Sequence, residues 1–405
     1  MKSKLNFPSV KCNPSSHNPN PPNPTNFYPK TKSNCNIQIY TNFLIACPYR
    51  AECTKLANVV LGVSHDSVNR FLNNNCFEPK QIFKEAKSII IGFNPCGGYL
   101  SVDDTILDKP YSLYENCQLL GSYYSGKHKR PVKGICLITL FYTDLSGRTS
   151  PVNFRIFVKG EEKSKNQHYR DMVKEVIEWG IKPKFMTADC FYATKENLCK
   201  WRGQGYCLCV NVASNNIIEH GQLSEDGKFL GEGKSLHEAQ QCKVKDLDYP
   251  KDGLIVHYPG AGLVKIFRMT PRLGTAYLYS LVKLESIEEM KKFTKADFKK
   301  LNGKHWNIEL YHKTLKSFCA IEKFMVRGIK AITNHIFCSL RAFVILTYNR
   351  LKKVLKSVGD LRMRLYNRIC ESFIAVNCCE LSYQLTSQKS TKTTKKSTTL
   401  SIDST

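Results

Sequence analysis

The chain has 405 residues, with 60 Lys and Arg against 34 Asp and Glu, a formal net charge of +26 at pH 7. Hydrophobic residues make up 42% and charged residues 23%, which suits two or three domains with sizeable cores and excludes a wholly disordered protein. A cationic surplus of this size calls for a polyanionic partner, nucleic acid being the commonest and a membrane surface the weaker alternative.

No run approaches the roughly 18 to 20 apolar residues of a membrane span. Lys2 and Lys4 are followed by Pro, Asn and Ser instead of the apolar core of a secretory leader, so a cytoplasmic protein is expected. The 18 cysteines are scattered and contain no CxxC pair. They read as small buried hydrophobes in a reducing compartment, not as zinc ligands or disulfides.

Residues 1–35 hold seven Pro, seven Asn and no acid, the composition of a disordered basic arm. Residues 36–95 have helical apolar spacing. Within them, Ala57, Leu61, Val63, Val68 and Phe71 are apolar where two short helices would face each other, and Gly62 stands where the turn needs a left-handed backbone. The layout resembles a helix-turn-helix, although a plain helical hairpin produces it too, and Asn58 occupies a position where alanine is usual. In a DNA-reading unit, Ser64, His65, Ser67, Asn69 and Arg70 would lie on the second helix or its entry.

From Tyr99 the texture changes to strands rich in Val, Ile, Leu, Phe and Thr, predicted at Tyr99 to Leu107, Gly134 to Thr143 and Val152 to Val158. A helix follows at about Asn166 to Trp179, then a strand at Lys184 to Ala188, a helix at Thr194 to Trp201 and a strand at Tyr206 to Val212. That order predicts an RNase H-like α/β fold, a mixed sheet flanked by helices, over residues 96–213. Residues 214–284 then delay the next helix, with strands predicted at Leu254 to Tyr258, Leu263 to Met269 and Ala276 to Val282, so a β-rich subdomain is inserted there. Capping-box patterns at Ser286 with Glu289 and at Thr294 with Asp297 return the chain to helices over residues 285–380. Residues 381–405 form a Ser/Thr/Lys-rich tail expected to be disordered.

In such a sheet the first and fourth strands are neighbours, so Asp103, Asp189 and a helical Glu309 can meet at one metal site. Three acids are a hard-oxygen donor set suited to divalent ions. Asp104 leaves the choice of first ligand open. Each acid also has a plain reading, as a strand cap, a turn former or a solvated helix residue. Gly126-Lys-His-Lys-Arg-Pro-Val-Lys133 forms a basic loop ahead of the second strand, in which Lys127, Lys129 and Arg130 would grip backbone phosphates or simply be solvated.

The words Ser101-Val-Asp-Asp-Thr105, Thr187-Ala-Asp-Cys-Phe-Tyr192 and Trp306-Asn-Ile-Glu-Leu-Tyr-His-Lys313 resemble the three catalytic segments of DDE transposases of bacterial insertion sequences. The likeness runs from about Phe43 to about Leu346. It implies a cut-and-paste enzyme that binds terminal inverted repeats, cleaves double-stranded DNA at the element ends and joins the freed 3′-hydroxyls to target DNA. It also implies two divalent ions, Mg²⁺ or Mn²⁺, on Asp103, Asp189 and Glu309, with Asp103 favoured over Asp104 by an Asp-x-Thr pattern ending at Thr105. Two such ions activate the attacking oxygen and stabilise the leaving one.

Lys313 and Lys316 share a helix face with Glu309. Lys316 matches the signature lysine of the family, which would hold DNA backbone near the cut. The signature's Tyr and Arg, seven and four residues before the glutamate, are Asn302 and His305 here. The resemblance further implies a homodimer on DNA, no membrane role and a bacterial, nucleoid-associated location. Two rivals follow from the same residues: a transposase-derived DNA-binding protein that no longer cuts, and another RNase H-like nuclease.

Overall fold

The computed structural model describes residues 34–47, 50–126, 128–223, 229–230, 240–269, 277–357, 359–361, 363–368 and 370. The arm up to residue 33, the tail from 371 and Lys127 therefore lie outside the described residues.

Four helices come first: α1 (Ile37–Ala46), α2 (Cys53–Val59), α3 (His65–Asn74) and α4 (Pro79–Ile89). Their starts are written in the sequence. Asn36 accepts from the Ile39 amide at 2.9 Å and Ser64 accepts from the Ser67 amide at 3.1 Å, each satisfying an amide left over at a helix start. Gly62 turns the chain between α2 and α3 at φ +84°, a backbone conformation that a side chain would strain.

The sheet begins with β1 (Tyr99–Asp108), β2 (Gly121–Ser125), β3 (Arg130–Thr143) and β4 (Thr149–Phe157). After α5 (Lys165–Glu178) come β5 (Phe185–Ala188), α6 (Lys195–Gly203) and β6 (Cys207–Val212). The interval that follows supplies β7 (Ile217–His220), β8 (Gln222–Leu223), β9 (Phe229–Leu230), β10 (Gln240–Lys243), β11 (Leu254–Tyr258), β12 (Gly262–Met269) and β13 (Leu278–Lys283). The chain then enters α7 (Ile287–Lys292), α8 (Lys295–Phe318) and α9 (Ile329–Leu351). At Ser286 the hydroxyl accepts from the Glu289 amide, and at Thr294 the reciprocal capping box with Asp297 is complete.

Eleven strands form one sheet in the order β10-β7-β11-β12-β13-β6-β5-β1-β3-β2, with β4 also on β3. β1, β5 and β6 run parallel, while β3 is antiparallel to both β1 and β4. That order and polarity over β4-β3-β1-β5-β6 give the RNase H-like topology that the strand and helix order predicted. The inserted strands extend the same sheet, because β13 pairs antiparallel with β6.

Strand alternation divides the core between the two faces. On one face, Leu107, Leu137, Phe141 and Phe154 pack with α1, α3, α8 and α9; on the other, Leu100, Val102, Ile138 and Met186 pack with α5 and α6. α9 is apolar and long enough to cross a membrane by composition alone, which the sequence reading did not anticipate. Ile332, Ile336, Phe337, Leu340 and Val344 are fully buried, and this helix contacts α1, α3 and α4 as well as α8 and β4. Its apolarity is that of a central core helix.

Candidate active site

β1 and β5 run side by side in parallel, with Ser101 opposite Thr187 and Val102 opposite Ala188. One residue further on, Asp103 in β1 and Asp189, just past the end of β5, lie close enough for the charge of one to act on the other. Ser101 and Thr187 share a buried hydrogen bond of 2.6 Å two residues earlier, which locks that register. Asp189 ends its strand in a turn, where its carboxylate accepts from the amides of Phe191 at 3.1 Å and Tyr192 at 3.4 Å. Burial, followed by the charges of Asp103 and Asp104, pushes the Asp189 carboxyl up to about 6.

Period-two alternation separates the paired acids of β1. Asp103 looks toward α8: its carboxylate lies 3.4 Å from His312 Nδ1 and accepts from the Asp104 amide at 2.8 Å. His312 Nε2 in turn bonds Thr139 Oγ1 at 2.8 Å, so the imidazole bridges β3 and Asp103. Asp104 looks toward α5. There it accepts from Lys165 Nζ at 2.8 Å, Tyr192 Oη at 3.0 Å and Cys136 Sγ at 3.6 Å. Lys165 is further enclosed by the rings of Phe191, Phe157 and Tyr123. Asp104 is thus saturated by its own neighbours, and Asp103 is the acid that shares a face with Asp189.

α8 crosses that face. His305 Nδ1 lies 3.2 Å from Thr187 Oγ1 on β5, and His312 reaches Asp103 and Thr139 on β1 and β3. At 100° per residue, Glu309 stands about 40° round the helix from His305 and about 60° from His312, on the rim of the buried stripe. Its side chain is exposed. Among the described residues no group of three or more His, Cys, Asp or Glu side chains sits together closely enough to hold a metal ion. The two aspartates are brought together, and the glutamate flanks them on the overlying helix without completing a three-ligand group. The pair nevertheless has the chemistry for a hard divalent ion: two neighbouring carboxylates, one pushed upward by burial and by the charge of the other, would be relieved by a cation between them.

The basic residues separate into committed and open ones. Lys316 Nζ donates to the Ile106 carbonyl at 2.6 Å and pairs with Glu322 at 2.9 Å, whereas Lys313 is exposed on the same helix. His305, at the place of the signature arginine, is turned down onto the sheet and kept neutral by burial; Asn302 reaches the Met269 sulfur at 3.9 Å. In the helical unit Ser64 caps α3, Asn69 accepts from Cys53 Sγ at 3.6 Å, and Arg70 is exposed. In the loop before β3, Lys129 has φ +51° and Arg130 starts the strand, both exposed; Lys127 lies outside the described residues.

Sequence reasoning missed His312 and the Lys165–Tyr192 clamp. Spacing could have flagged the first, since His312 follows Glu309 by three residues on one helix. Nothing local marks Lys165 as a partner of Asp104, because the contact joins residues 61 apart in the chain.

The chain is similar to a solved piggyBac transposase, in a synaptic complex with hairpin DNA, at 11% identity and a TM-score of 0.45. The match covers 78% of this chain and 64% of that one, so it spans less than two thirds of the relative's length. No curated protein matches in sequence. A family model described as Transposase DDE domain matches residues 100–345, more than half of the sequence, and the chain belongs to that family.

Proposed function

We propose that this protein is a DNA transposase that binds the terminal inverted repeats of a mobile element, cleaves DNA at the element ends and transfers the 3′-hydroxyl ends into target DNA. The observation that carries the reading is the parallel register of β1 and β5, which sets Asp103, midway along β1, near Asp189 in the turn that follows β5, on the face covered by the helix that carries Glu309.

Asp103 and Asp189, joined by Glu309 from the overlying helix, would hold divalent cations, Mg²⁺ or Mn²⁺. Such ions, when bound, supply Lewis acidity toward the phosphodiester and toward the attacking oxygen. The chain's own contribution is preorganisation. Asp189 is fixed by two backbone amides, Asp103 by the Asp104 amide and His312, and the turn bearing Asp189 is tied back to β1 through Tyr192 and Asp104. Glu309, projecting from the rim of α8, approaches from the solvent side, where the DNA backbone must arrive. Lys313, one turn further on, and Arg70, Asn69 and Ser64 on α3 contact that DNA, joined by Lys129, Arg130 and Lys127 of the basic loop. Lys316 acts from beneath, by holding the end of β1 against residue 322. Two element ends have to be handled together, so the working form is a homodimer on DNA.

The test is divalent-ion-dependent nicking of an oligonucleotide carrying the inverted repeats that flank the coding region. Asp189→Ala should abolish nicking while binding persists, and joined products should appear with target DNA. Equal cleavage by the variant defeats the assignment. One observation favours a second reading, a DNA-binding derivative that does not cut: Glu309 is exposed and forms no three-ligand group with the aspartates. Binding of the repeats by the unaltered protein, with no nicking in Mg²⁺ or Mn²⁺, would establish it.

A further inference from the structure

Beyond the far end of β1 a cleft of about 540 Å³ opens between residues 108–120 and the connector that joins α8 to α9. Its walls are fixed. Lys109 Nζ donates to the carbonyls of Glu322 at 2.9 Å and Phe324 at 2.8 Å, and sits 3.4 Å from the centre of the Phe324 ring. On the other side the Ala51 amide donates to the Lys323 carbonyl at 2.8 Å, fastening the helical unit to the same connector. The recess is preformed, as small-ligand sites usually are.

Its lining combines open cations with unburied apolar groups. The two acids are occupied, Asp108 by His128 at 3.0 Å and Glu322 by Lys316 at 2.9 Å. Among the described residues no ion pair engages Arg50, Lys323 or Arg327, which also line the cleft. Tyr111 is 92% exposed, Leu113 54% and Met325 50%, three large apolar side chains left to water in one recess. A duplex backbone would be gripped by cations on an open surface and has no use for a recess of this kind. Cations around an aromatic and apolar recess suit a base with its phosphates.

The position agrees. Gly328, next to Arg327 of the cleft wall, lies near the Asn73 side chain of α3. Along β1, Asp103 and Asp108 are five residues apart, about 17 Å at the rise of a strand, or about five base-pair steps.

We infer that this cleft is a nucleotide subsite. It takes one base lifted out of the duplex, stacked on Tyr111 between Leu113 and Met325, with the adjoining phosphates on Arg327, Lys323 and Arg50. The inference rests on the DNA-acting function proposed above and adds to it a place for an unpaired nucleotide about five steps from the reacting phosphate.

The test is fluorescence-anisotropy binding of the full chain to a duplex oligonucleotide carrying one unpaired thymidine, beside the same duplex fully paired. The bulged duplex should bind about tenfold more tightly. Tyr111→Ala should bring it down to the affinity of the paired one, with the melting temperature confirming that the variant folds. Equal binding of the two duplexes by the unaltered protein, or a preference that survives Tyr111→Ala, overturns the subsite alone. Failure to bind either duplex overturns the DNA-acting reading itself and the subsite with it.

Discussion

Adjacent acids on one strand should respond to the same substitution in opposite ways. Asp104 and Lys165 form an ion pair whose side chains are 18% and 17% exposed, reinforced by Tyr192 and Cys136. Stripping one partner from a fully buried pair costs about 3–5 kcal/mol, while a surface pair is worth about 1 kcal/mol or less. For this intermediate exposure, with an asparagine oxygen keeping one acceptor, Asp104→Asn should destabilise the protein by about 2 kcal/mol. Asp103→Asn is a different case. The amide oxygen still accepts from the Asp104 backbone, and repulsion toward the half-buried Asp189 disappears, so stability should hold or rise by up to about 1 kcal/mol. Divalent-ion-dependent nicking should nevertheless be lost in Asp103→Asn. Urea denaturation midpoints of the two variants, read beside nicking, check both halves. A fall in stability for Asp103→Asn, with Asp104→Asn left at the original midpoint, would refute the division of the two acids between the faces of the sheet.

Three further outcomes follow from committed side chains. His335 is wholly buried and neutral, accepting at Nδ1 from Tyr40 at 2.9 Å and donating from Nε2 to the Ala320 carbonyl at 3.1 Å; burial, then the charge of Lys109, lowers it to about 3. The unfolded chain therefore binds the extra proton first, and stability should fall as the pH drops below about 6.5, by up to about 1.4 kcal/mol per unit. Denaturation midpoints across that range check this, and a His335→Gln variant should show a flatter profile. Lys313→Gln should lower the slope of log affinity for DNA against log salt by about 0.9, the signature of one lost phosphate contact, whereas Lys316→Gln should leave that slope nearly unchanged and cost stability instead. Lys265 Nζ donates to the carbonyls of Met290, Lys291 and Phe293 at 3.0, 3.3 and 2.8 Å, so Lys265→Met should cost about 2 kcal/mol in thermal or urea melts without altering DNA affinity.

Much of the fold was legible because its signals are local. Runs of β-branched and aromatic residues gave β1, β3 and β4, while Ser64, Ser286 and Thr294 announced helix starts through bonds only three residues long. The aspartates were legible as words, Asp103 before Thr105 and Asp189 after an apolar strand. What the sequence could not reveal lies in long-range contacts. The partnership of Asp104 with Lys165, the downward turn of His305 and the internal engagement of Lys316 depend on which helix covers which face, a tertiary outcome no window of residues contains. The apolarity of α9 was likewise ambiguous until neighbours on both sides were seen to bury it.

That helix has a mechanical consequence. A helical unit hung on a flexible tether can search a volume, but one whose core is continuous with the sheet through α9 behaves as a fixed caliper. On the function proposed above, DNA held by α3 would reach the aspartate face at a constant offset and angle, its spacing from the reacting bond set by packing among Tyr40, Phe71, Phe337 and His335 rather than by linker length. Altering that spacing in a variant would require rebuilding this joint.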